Sequence, residues 1–170
     1  MIQIPFRIDT EADTRIKQEE RSKASIQGLH ILLVEDNDLN MEIAEFVLEN
    51  EGAIVIKAEN GKEAVDIFQS SGIGECDAIL MDIMMPVMDG LTASRIIRAM
   101  DRLDARTIPI IAMTANAFTE DKIKAKEAGM DEHIAKPLDR RVLVEVVARL
   151  INKEKKHREG VRTDEADCHM

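Results

Sequence analysis

Between residues 28 and 152, short apolar runs alternate five times with longer segments of helical periodicity, and this rhythm restricts the fold more than any other feature of the chain. The runs are Leu29 to Val34, Ala53 to Ala58, Ala78 to Met81, Ile108 to Met113 and the weaker Met130 to Ala135. After the first, Leu39, Ile43, Phe46 and Val47 recur at helical spacing until Gly52 stops them. A second helix is predicted from about Gly61 to Ser70, with Ala64, Val65 and Phe68 inward, a third from Leu91 to about Arg102, and a fourth from Phe118 to Ala128, ended by Gly129. Leu138, Val142, Val146 and Leu150 mark the last. Five strands alternating with five helices require a parallel α/β sheet covered on both faces, because each crossover lays a helix on the sheet.

The flanks differ in kind. Residues 1–27 and 153–170 each carry five acids and five bases, so the entire formal charge of −10 belongs to the segment between them. The charged stretch from Glu11 to Gln27 reads as a linker or a frayed helix rather than part of a core, and the residues after Lys153 as a polar tail. An acidic chain with no Trp or Tyr lacks both the phosphate-neutralising charge and the stacking platforms of an autonomous nucleic-acid binder. Cys76 and Cys168 form no disulfide framework or metal pattern, which suits a reducing cytosol, and no stretch is long and apolar enough to contact a membrane by spanning it. A cytoplasmic domain is expected, whether or not a parent chain is membrane-anchored.

In an open parallel sheet, chemistry gathers beyond the carboxyl ends of the strands. There the chain places Glu35-Asp36, Asp82, Thr114-Ala115 and Lys136-Pro137. Neighbouring carboxylates repel unless a cation joins them, and an all-oxygen set favours a hard ion such as magnesium. Lys136 adds a point positive charge, so the edge reads as a place to hold phosphate on or near a carboxylate. Taken singly, each residue also has a structural role open to it: Asp36, Asp38 or Thr114 as a cap, Asp82 in a turn, Lys136 in solvent.

The segments LLVEDNDLN (32–40), ILMDIMMPVMDG (79–90), IIAMTANA (110–117) and GMDEHIAKPL (129–138) together resemble the receiver domain of two-component response regulators and hybrid sensor histidine kinases. The resemblance implies a flavodoxin-like doubly wound sheet of order 2-1-3-4-5, with Asp82 as phosphoacceptor. It implies magnesium, or manganese as a substitute, held by Asp36, by Asp82, by Glu35 through water and by the backbone carbonyl of Met84. Thr114, Lys136 and the Ala115 amide would bind phosphoryl oxygens, and the Lys136–Pro137 bond is usually cis in such domains. His133 stands where the family usually has the Tyr or Phe that moves with the threonine, and a histidine there would make switching pH-sensitive. Met84 and Asn116, two residues after Asp82 and Thr114, offer no strong general base, which implies an aspartyl phosphate without assisted self-hydrolysis.

The implied partner is a histidine-bearing kinase dimerisation or phosphotransfer domain, and pairing of two receivers through the last two units is common in the family. The polar stretch after Leu150 is too short for a DNA-binding output domain, and Ile2 to Ile8 resembles the closing strand of a kinase ATP-binding domain, so a hybrid sensor kinase is the expected parent. A stand-alone response regulator and a phosphorylation-independent binding module are the alternatives. A flavin enzyme would need a phosphate-cradling loop where Glu35-Asp36 stands. A dehalogenase-like phosphatase would need an acid where Met84 stands, and a P-loop nucleotidase lacks its motif.

Overall fold

In the computed structural model, which describes residues 24–116 and 118–165, each apolar run is a strand and each periodic segment a helix. Strands β1 (His30–Val34), β2 (Ile54–Ala58), β3 (Ala78–Asp82), β4 (Ile110–Thr114) and β5 (Glu132–Ala135) alternate with helices α1 (Asp38–Asn50), α2 (Gly61–Ser70), α3 (Gly90–Ala99), α4 (Thr119–Glu127) and α5 (Arg140–Glu165). The sheet is parallel throughout in the order β2-β1-β3-β4-β5. β3, at its centre, is buried at all five residues, so its last side chain, Asp82, is carried into a covered position by the strand itself.

Period-two alternation divides the core in two. Ile31, Leu33, Leu80, Ile111, Met113 and Ile134 point to the side covered by α1 and α5. Leu32, Val34, Ile79, Met81, Ile110 and Ala112 point to the side covered by α2, α3 and α4. Asn37, Asn60 and Asp89 cap α1, α2 and α3 with side-chain oxygens that accept backbone N–H groups at 3.0, 2.9 and 2.7 Å. All three caps lie at the carboxyl edge of the sheet, where they fix the loops that leave β1, β2 and β3.

Several details depart from the sequence reading. α1 turns Met41, Ala44 and Leu48 to the core, leaving Leu39, Ile43 and Phe46 at 64, 47 and 69 % exposure. On α5 Val146 is buried as expected, beside Leu143, Val144 and Val147, and Leu150 packs on the core, as does Leu138 just before the helix, while Val142 is exposed. α5 also continues through the stretch read as a polar tail as far as Glu165, because residues 152 to 159 contain good helix formers and the Glu154–Arg158 pair spans one turn at 2.6 Å. Ile26, within the stretch read as a linker, is fully buried, whereas the strand expected at Ile2 to Ile8 lies outside the described residues. Among the described residues no helix is long and apolar enough to cross a membrane.

Val87, in the β3–α3 loop, has φ +68° and is 81 % exposed. A β-branched side chain is strained there and its exposed position returns little packing, whereas asparagine tolerates the left-handed region. Val87→Asn is expected to raise unfolding free energy by about 1 kcal/mol in urea titration; a loss of stability would show that the loop is not strained at this residue.

Candidate phosphoacceptor site

Glu35 and Asp36 follow β1 directly, Asp82 ends β3 and Lys136 follows β5, so the sheet order brings four distant residues to one edge. Glu35 and Asp82 are buried, at 3 and 5 % exposure, and Asp36 is exposed. One ligand atom from each of these three carboxylates lies within 4.8 Å of the others. The Lys136 ammonium donates to Glu35 Oε2 at 2.6 Å and to Asp82 Oδ2 at 3.0 Å. The Lys136–Pro137 peptide that follows it is cis.

The electrostatics follow from that crowding. Burial pushes the Asp82 carboxyl up to about 6; the Lys136 hydrogen bond opposes the rise and the nearby Glu35 charge adds to it. Burial pulls Lys136 down, but its hydrogen bonds to Glu35 and Asp82 outweigh this and hold it above the ordinary lysine range. One ammonium cannot balance three carboxylates. The donor set is oxygen only and partly dehydrated, so these residues fit a hard divalent cation better than a thiophilic one.

Met84 is 81 % exposed, and its N–H donates to Asp82 Oδ1 at 3.3 Å. Thr114 is buried at the end of β4, where its hydroxyl donates to the Asn116 carbonyl at 2.8 Å and accepts the Asn116 N–H at 3.1 Å. Ala115 is exposed beside it. His133 pairs in register with Ala112 on the α4 side of the sheet, is half-buried, and lies 3.3 Å from Glu132 Oε1. The structure thus brings Glu35, Asp36, Asp82 and Lys136 into one cluster and sets Thr114 at the end of the next strand. The sequence reading did not single out Asn116 as the threonine's partner, nor Gly61, which sits against the loop after β3, and it took Asp89-Gly90 only as a turn, whereas Gly90 lies against the backbone of Asp82; the Asn60-Gly61 pair at a helix start was the available signal.

The family model for the response regulator receiver domain matches residues 31–148, and the chain belongs to that family. It is therefore a receiver domain of two-component signalling. It is 36 % identical over 124 residues to the sensor protein GacS of Pseudomonas syringae pv. syringae, covering 72 % of this chain and 13 % of that protein. It is 42 % identical over 122 residues to hybrid signal transduction histidine kinase M of Dictyostelium discoideum, covering 71 % of this chain and 5 % of that protein. Among solved structures, the receiver domain of a sensor histidine kinase from Pseudomonas aeruginosa, with magnesium coordinated in its active-site cleft, superposes with a TM-score of 0.67 at 41 % identity. That alignment covers 74 % of this chain and 98 % of the other. A chemotaxis response regulator of Vibrio cholerae matches at TM-score 0.66 and 25 % identity, covering 73 and 99 %. The chain spans only 5 to 14 % of the length of the curated relatives named as histidine kinases.

Proposed function

We propose that Asp82 accepts a phosphoryl group from a phosphohistidine, with magnesium held by Glu35, Asp36, Asp82 and the backbone carbonyl of Met84. The observation that carries this reading is the buried Asp82 carboxylate, hydrogen-bonded to Lys136 within the three-carboxylate cluster. An Asp82 oxygen attacks phosphorus in line as the bond from phosphorus to the donor histidine nitrogen breaks, giving an aspartyl phosphate and a free histidine. Magnesium, when bound, supplies charge neutralisation for the transferring group; manganese offers the same hard-ion chemistry. Lys136 holds a phosphoryl oxygen, and Thr114 and the Ala115 amide take the others. Neither Met84 nor Asn116, which flank the site, is a strong base for hydrolysis, so the product is expected to persist.

Thr114 and His133 form the proposed switch, the hydroxyl leaving Asn116 for the phosphoryl group and the imidazole following on the next strand. The exposed stripe of Leu39, Ile43 and Phe46 begins one turn after Asp36 and offers the apolar surface on which a helical histidine-bearing partner would seat. Residues 28–152 are the receiver in this reading, and its parent is a hybrid sensor histidine kinase acting in the cytoplasm.

Incubation with acetyl phosphate and magnesium is expected to add the mass of one phosphoryl group, with amide resonances of Thr114 and His133 shifting in the same sample. A chelator is expected to abolish both effects. An unmodified mass in magnesium would support a phosphorylation-independent binding module instead.

A further inference from the structure

Gly61 opens α2 without a positive φ, so its own backbone conformation gives no reason for glycine, and alanine is the better helix former. What excludes a side chain is the β3–α3 loop. A Cβ on Gly61 would stand 2.6 Å from the Met88 carbonyl oxygen and 3.0 Å from both the Asp89 carbonyl oxygen and the Ala93 Cβ. The Gly61 N–H, one of the amides a helix start leaves without an intrahelical acceptor, donates to that Met88 carbonyl at 3.0 Å. Two neighbouring amides are satisfied locally, Glu63 N–H by Asn60 Oδ1 at 2.9 Å and Glu59 N–H by Glu63 Oε2 at 2.8 Å. The helix therefore caps itself and gives one donor to the loop.

That loop starts at the acceptor. Met84 N–H donates to Asp82 Oδ1 at 3.3 Å, and the Gly90 N–H closes the segment on the Ile83 carbonyl at 3.0 Å. The clasp between Gly61 and Met88 ties the loop to a rigid element two residues before α3, next to the strained Val87. The geometry points to Gly61 as a positioning residue of the metal site: by letting α2 approach the loop backbone, it fixes the depth at which Met84 presents its carbonyl. This rests on the reading above that Met84 completes the magnesium ligands.

The test compares the full chain with Gly61→Ala and with Ala64→Gly, a buried position on the same helix whose substitution weakens α2 without entering the loop. Magnesium binding is measured by titration calorimetry, and phosphorylation by acetyl phosphate across magnesium concentrations. Gly61→Ala is expected to raise the magnesium dissociation constant on the order of tenfold, with the phosphorylation rate recovering at high magnesium. Ala64→Gly is expected to lower the thermal midpoint and leave the dissociation constant within about twofold of the parent. An unchanged constant in Gly61→Ala, or an equal rise in Ala64→Gly, overturns the inference. Failure of the unsubstituted chain to bind magnesium overturns the reading of the site itself, and so is distinguished from failure of the clasp alone.

Discussion

Asp82→Asn is expected to abolish phosphoryl incorporation and, in the absence of metal, to make the domain more stable at neutral pH. Burial and the Glu35 charge hold the Asp82 carboxyl at about 6, above its ordinary value. A folded state that binds a proton more tightly than the unfolded chain is most stable below the ordinary carboxylate range and loses that stability as pH rises from about 4 through about 6. Above that window the ionised Asp82 weakens the metal-free fold by on the order of 3 kcal/mol, and the neutral amide of asparagine removes this penalty. Thermal unfolding with chelator at pH 7.5 should show a midpoint several degrees higher for Asp82→Asn, and the gap should close near pH 4. Magnesium should reverse the order, stabilising the parent by its binding free energy and the variant much less. An asparagine variant no more stable than its parent at pH 7.5 would mean that Lys136 fully compensates the buried charge.

The second large effect lies at the opposite end of the sheet. Arg102 and Asp104, 11 and 2 % exposed at the side chain, form a two-pronged pair at 2.6 and 2.8 Å. The same guanidinium donates to the carbonyls of Phe68, Ser71 and Gly72 and lies 4.2 Å from the centre of the Phe68 ring. Asp104 in turn accepts the Gly74 N–H at 3.0 Å. One ion pair thus ties the end of α2, the α2–β3 loop and the α3–β4 loop. Removing one partner leaves the other charge buried and unpaired, so Arg102→Ala or Asp104→Ala is expected to lose roughly 3 kcal/mol, a drop on the order of 10 °C in the thermal midpoint. The Arg102 hydrogen bond holds Asp104 below the usual carboxylate range. Its contribution is therefore complete above that range and disappears as pH falls through the lowered value. Substitution of either residue with a loss under 1 kcal/mol would reduce the clasp to an ordinary surface pair.

The sheet and most of the site were legible because both depend on local pattern. An apolar run that stops at a carboxylate, as at Val34-Glu35 and Met81-Asp82, records in one dimension that a strand has reached the sheet edge. Helix orientation is a different matter. On α1 two apolar stripes compete, and Leu39, Ile43 and Phe46 are the larger residues, yet the sheet takes Met41, Ala44 and Leu48, whose small central alanine lets the helix lie close. Spacing alone does not say which stripe the sheet covers. The Arg102 clasp was illegible for another reason: its acceptors at Phe68, Ser71 and Gly72 are backbone carbonyls some thirty residues away, and a carbonyl leaves no mark in the sequence. The same holds for Gly61, whose meaning depends on a carbonyl of another loop.

β3 runs from Ala78 to Asp82, about 13 Å at ordinary strand rise, with the proposed acceptor carboxylate at one end and the clasped loops at the other. Two sites that far apart with no shared partner should respond to substitution independently, so the free-energy changes of Asp82→Asn and Arg102→Ala should add in the double variant. The proposed acceptor and the ion-pair clasp thus lie at opposite poles of one strand, and tuning at one pole can proceed without drawing on the strength of the other.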